Sequence, residues 1–209
     1  MVDALGLLEA MGAVSSGDKA ALRDWFSQFG TWMRESPYGR DESNAKNNHG
    51  TYYDLQVAIY ALYADQPAIA KRVLDTARQR RIDVQIEPDG RQPLELARTR
   101  SFSYSVMNID GLTQLATVGD RVGVDLWNYT RKGSTTPAIR GALLYLAPYA
   151  LGDAKWSHQQ IGGWDPEALF PVLRLAASHY RDPEFRRVTA RVPVVGPADR
   201  LLLTSTTTR

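Results

Sequence analysis

Along most of this 209-residue chain apolar residues recur at three- and four-residue steps, and short turns separate the periodic stretches, which commits the chain to antiparallel helix hairpins. From Asp18 onward, Leu22, Trp25, Phe26, Phe29, Trp32 and Met33 form one broad aromatic stripe on a helix ending near Ser36-Pro37; the stripe reads as core. Helices follow over 50–64, 67–81, 101–118, 134–149 and 166–180, with shorter ones over 3–12 and from Asp182-Pro183. Segment 38–47 reads as a polar loop. Asp83-Val84-Gln85-Ile86-Glu87 alternates like a short strand before a Pro88-Asp89-Gly90 turn. The expected fold class is all-α, a hairpin array whose loops gather at two ends, followed by an irregular tail over 189–209.

Several function classes are excluded or narrowed at once. Lys and Arg number 25 against 23 Asp and Glu, so no nucleic acid partner is expected, and any polyanion must find a local basic patch. Arg78, Arg80, Arg81, Arg131 and Lys132 are available for one, although a solvated charged face explains them equally well. The absence of Cys excludes thiol nucleophiles, disulfides and thiolate metal sites. His49, His158 and His179 lack ligand spacing, so neither metal nor cofactor is expected. No apolar run reaches membrane-spanning length, and the N-terminus lacks a signal-peptide layout.

Two clusters carry the chemistry. The first is Lys46-Asn47-Asn48-His49-Gly50-Thr51-Tyr52-Tyr53-Asp54, far denser in hydrogen-bonding side chains than a helix start requires. The second is Glu95-Leu96-Ala97-Arg98-Thr99-Arg100-Ser101-Phe102-Ser103-Tyr104-Ser105, which adds cations and a phenol. If the two helix starts face the same end, Asn48, His49, Arg98 and Tyr104 converge. Such a set suits proton abstraction beside a carboxylate. The carbon acid of a uronate is weak until donors neutralise its carboxylate and stabilise the enolate-like charge, which Asn48, His49 and Arg98 can do. Tyr104 can then take the C5 proton and return one to the departing O4, completing a β-elimination. The set is poorly equipped for hydrolysis by two carboxylates, for which Asp89 and Glu95 are the available pair.

These residues, Asn47 to Gln56 together with Glu87-Pro88-Asp89-Gly90-Arg91-Gln92-Pro93-Leu94-Glu95 and on to Ser105, resemble the alginate lyase domain superfamily, which includes the family five alginate lyases and related endo-acting lyases on mannuronate or glucuronate polymers. The resemblance runs from about residue 17 to 180 and implies a single domain over 1–188 with an (α/α) toroid fold, or an incomplete toroid of antiparallel helix hairpins. It also implies metal-independent β-elimination on an anionic polysaccharide such as alginate, a periplasmic or secreted location, and the catalytic quartet Asn48, His49, Arg98 and Tyr104. The Arg-to-Tyr spacing departs from family five, which leaves Arg100 as the alternative to Arg98. Such domains extend further on the N-terminal side, so the chain is expected to be the C-terminal part of one. Self-association or a missing N-terminal segment is then expected to cover the stripe.

Around the quartet, Tyr53, Gln56, Arg100, Asn108 and Trp164 are the substrate-binding candidates. Trp127 and Trp156, in loop-rich segments, are indoles that either stack on sugar or anchor the core. Two other functions remain open at this stage: a non-catalytic uronate-binding module derived from a truncated lyase, and a toroid glycoside hydrolase using Asp89 and Glu95.

Overall fold

A computed structural model describes residues 2–193. Its helices are α1 (Val2–Ala10), α2 (Ser16–Glu35), α3 (Pro37–Asn44), α4 (Asn48–Tyr63), α5 (Pro67–Ala77), α6 (Asp83–Gln85), α7 (Pro93–Leu96), α8 (Ser101–Asp120), α9 (Ala138–Ala150), α10 (Phe170–Ala176) and α11 (Pro183–Thr189). Helices α4 and α8 pack on each other at the centre. Helices α2 and α5 flank α4, while α9 and α10 flank α8. The contact between α4 and α8 is close because Gly111 faces α4: a Cβ there would lie 2.9 Å from Thr51 Cγ2. Leu55, Ala58, Ile109, Leu112, Leu115, Leu143 and Leu146 fill the space between the layers. Consecutive antiparallel hairpins around a continuous apolar core make this an all-α fold of the (α/α) toroid type.

Four expectations change. Segment 38–47 is largely helical, because Ser36 ends one helix and starts the next: its backbone N–H donates to Trp32 O, while its hydroxyl accepts from Gly39 N and Pro37 opens the first turn. No strand forms at 83–87. Helix α5 runs instead through a π-helical turn, Arg78–Ile82, into α6, which buries Arg81 and Gln85, four residues apart on one helical face. A strand there would have no partner; among the described residues the bridge pairing is that of Arg100 with Gln160. The helix expected over 166–180 is divided into a 3₁₀ turn, Pro166–Leu169, and α10, with Pro171 in the first turn of the latter. Packing also continues past 188, since Thr189 ends α11 and Val192 is buried; the rest of the expected tail, 194–209, lies outside the described residues.

The α2 stripe is only partly core. Phe26 and Met33 are buried, but Trp25 and Trp32 are each 50% exposed and stack on Phe29 from either side, with centroids 5.0 and 5.6 Å away. Four aromatic residues at helical spacing describe a band wider than the face that α4 covers, so the outer line of rings packs on itself.

Candidate functional site

The first cluster is delivered by a buried ion pair. The Arg81 guanidinium meets the Asp54 carboxylate through two bonds of 2.7 and 3.1 Å, with both side chains 2% exposed. It also donates to Ala45 O (2.7 Å) and Ser43 O (2.9 Å), so one cation ties the chain entering α4 to the body of α4. Gly50 is required by that approach: a Cβ would lie 2.1 Å from Ala45 O and 2.3 Å from Arg81 Nη1. Capping falls to Asn47, whose Oδ1 accepts from His49 N at 3.2 Å. Asn48 is thereby released from the task that a helix-start Asn ordinarily performs.

What Asn48 does instead organises the site. Its backbone N–H and its side-chain Nδ2 donate to Glu95 Oε1 and Oε2 at 2.6 and 2.8 Å, and both residues are buried. Arg98 Nη1 lies 3.5 Å from Glu95 Oε2, at ion-pair distance but without hydrogen-bond geometry. The Arg98 guanidinium in turn lies over the Tyr104 ring, 3.5 Å from its centroid, a cation–π contact. Asn48, Arg98 and Tyr104, drawn from two distant segments, thus form one contiguous group through Glu95. His49, next in the chain, is half exposed and holds Glu42 Oε1 through Nδ1 at 2.8 Å. That bond fixes the ring and makes Nε2 the nitrogen left for other partners. Burial pushes the Glu95 carboxyl above its usual range, and the two Asn48 bonds and Arg98 oppose the shift.

The other candidates separate. Arg100 touches this group only through its backbone carbonyl, which accepts from Tyr104 N at 2.9 Å; its backbone also bridges Gln160, and its guanidinium lies beside Gly162. Gln56 is exposed on α4, and Trp164, 45% exposed, tilts against Phe102 with centroids 4.4 Å apart. Two candidates are corrected. Tyr53 is a core residue, 7% exposed, whose phenol donates to Met33 O. Asn108 is fully buried in a carboxamide network, accepting from Thr51 Oγ1 and donating to Gln85 and Gln92, so it braces α4 and α8 from inside. Trp127 is likewise buried, and Trp156 packs against Phe102, Tyr149 and Trp164. Among the basic candidates, Arg81 is consumed by Asp54, and Arg131 donates to Ile86 O.

The hydrolase pair does not form. Asp89 is on the exposed turn, where, against slight burial, the bonds from Arg91 hold its carboxyl below the usual range, and Glu95 is enclosed behind Asn48. Four contributors were not legible as such: Glu95 as the link, Gln92 and Gln85 in the polar layer, and Gln160. Gln160 Oε1 accepts from the N–H groups of Phe102 and Ser103, the first turn of the helix that carries Tyr104. The signal for the first two was the run of amides and acids in Glu87–Glu95, polar residues in a segment without the polar periodicity of a surface. Among the described residues, no group of three or more His, Asp or Glu side chains gathers as for a metal ion.

Comparison with known proteins completes the picture. The alginate lyase family model matches residues 1–156. The crystal structure of an alginate lyase from Bacteroides ovatus superposes with a TM-score of 0.88 at 33% sequence identity, over 97% of this chain and 53% of that one. The chain therefore spans about half the length of that relative. No curated protein matches.

Proposed function

The chain belongs to the alginate lyase family, and from that premise we propose that it is a polysaccharide lyase acting on a 1,4-linked uronan, alginate first, by β-elimination. The observation that carries the proposal is the contiguous group of Asn48, Arg98 and Tyr104, with His49 alongside. In this reading Asn48, Arg98 and, when both ring nitrogens carry protons, His49 donate to the substrate carboxylate and stabilise the charge that builds as C5–H breaks, a role a metal ion would otherwise take. Tyr104 accepts the C5 proton, the C4–O4 bond breaks with its electron pair leaving on O4, and a proton returns to that oxygen. The products are a new reducing-side end and a C4–C5 unsaturated uronate. An anionic polysaccharide substrate and the family's membership also make a periplasmic or secreted location the reading we adopt.

The Nδ1 bond from His49 to Glu42 favours a second assignment within the same reaction. With that nitrogen donating to the carboxylate, a neutral ring presents the lone pair of Nε2, so His49 acts as a base for the sugar epimer whose C5–H faces it.

The test is polymannuronate, polyguluronate and glucuronan incubated with the chain while ultraviolet absorbance follows the conjugated unsaturated uronate. Rising absorbance that survives chelator is the expected result. Binding without absorbance would make the chain a uronate-binding module, and reducing ends without absorbance would mean hydrolysis. Arg98→Ala should lower kcat on the order of a hundredfold, as loss of a transition-state donor does, whereas Arg100→Ala should act mainly on KM. The reverse pattern would transfer the role to Arg100.

A further inference from the structure

The buried carboxylate of Glu95 takes no part in the elimination just described, yet it is the group through which the two helix starts meet. It comes from α7, a helix of one turn held by Pro93 at its start and ended at Ala97. Both of its oxygens are used by Asn48, at 2.6 and 2.8 Å, and the second also lies 3.5 Å from Arg98 Nη1. Both oxygens face donors, an arrangement that suits an ionised carboxylate and opposes the upward push of burial. An Asn side chain carries two N–H groups and one carbonyl, and its amide plane is free to turn about its terminal torsion unless something holds it. With one N–H committed to Glu95, the plane is fixed and the second N–H and the carbonyl are presented in a single direction.

We propose, resting on the lyase reading, that Glu95 is a positioning residue that sets the amide plane of Asn48 and the seat of Arg98 together, so that both donors reach one substrate carboxylate at once. A carboxylate is the group suited to this. It accepts from the Asn48 backbone and side chain simultaneously, and its charge holds the guanidinium from the buried Nη1 side, leaving the rest of the Arg98 side chain, 28% exposed, for the substrate. A carboxamide at 95, whichever way it is turned, would set its NH2 against one of the two Asn48 donors and break the arrangement. Preorganisation of this kind acts on the transition state and leaves ground-state binding largely alone.

The experiment compares Glu95→Gln, Asn48→Ala and the double variant in the full chain, with thermal unfolding to confirm that each is folded. Glu95→Gln should lower kcat by roughly ten- to a hundredfold with KM nearly unchanged, and the double variant should be no more than about threefold slower than Asn48→Ala alone, because residues acting as a unit are not additive. Effects that multiply, or a Glu95→Gln variant within about threefold of the wild type, would overturn the inference while the lyase reading stands. A wild-type chain that produces no unsaturated uronate counts against the lyase reading instead. The inference is then decided by hydrogen exchange of the Asn48 amides followed by NMR. Protection lost in Glu95→Gln supports it, and protection unchanged overturns it.

Discussion

Tyr104→Phe should reduce turnover by at least the roughly hundredfold typical of a lost general acid–base group, with substrate binding retained. The substitution is a clean one in this site because the Arg98 guanidinium is seated on the ring face, 3.5 Å from the centroid, and Phe keeps that face. Arg98 therefore stays in place while the phenol oxygen alone is removed. Initial rates of unsaturated uronate formation, set against the affinity for a short oligouronate, measure both halves of the expectation. A variant with near-normal turnover would move the base elsewhere, and His49 would be the residue to examine next.

Asp54→Ala should destabilise the fold by about 3–5 kcal/mol, because it strands a buried guanidinium without its counter-ion. Arg81 is 2% exposed and has nowhere to hydrate. Against a domain stability of about 5–15 kcal/mol the loss is large enough to show directly in urea unfolding. The damage should not stop at stability, since the same guanidinium holds Ala45 O and Ser43 O and so places the segment that leads into Asn47 and Asn48. Activity should fall further than the folded fraction does. A denaturation midpoint close to that of the wild type would mean that the 43–47 segment is held by its other contacts.

The helices were legible because burial on one face writes a periodic signal, and α4, α5 and α8 fall close to where that signal puts them. The failures have local causes. The Ser36-Pro37 pair ends α2 and begins α3, and its first meaning concealed its second. The alternation at 83–87 arises from a π turn that carries Arg81 and Gln85 inward, and a π turn shifts helical phase without leaving any mark in composition. The stripe on α2 gave the right residues and too broad a buried face, since periodicity states direction but not how much a neighbour covers. In the candidate site, clustering put forward Asn48, Arg98 and Tyr104, which share dense polar stretches. It could not reveal which Asn caps the helix, nor that Tyr53 and Asn108 point inward, because those outcomes depend on a partner helix distant in sequence.

The first turn of α8 has no cap from its own neighbourhood; Arg100 precedes it and contributes no side-chain bond. Its N–H groups at Phe102 and Ser103 are satisfied by Gln160, 58 and 57 residues later in the chain. That loop is as long as the one closed when α4 docks on α8, where Thr51 meets Asn108 57 residues on, so both closures carry a similar entropic cost. The turn that bears Tyr104 has two of its N–H groups satisfied only once the segment at 159–161 is in place. The body of α8 and the turn that bears Tyr104 are thus completed by different parts of the chain, α4 for the first and the 159–161 segment for the second.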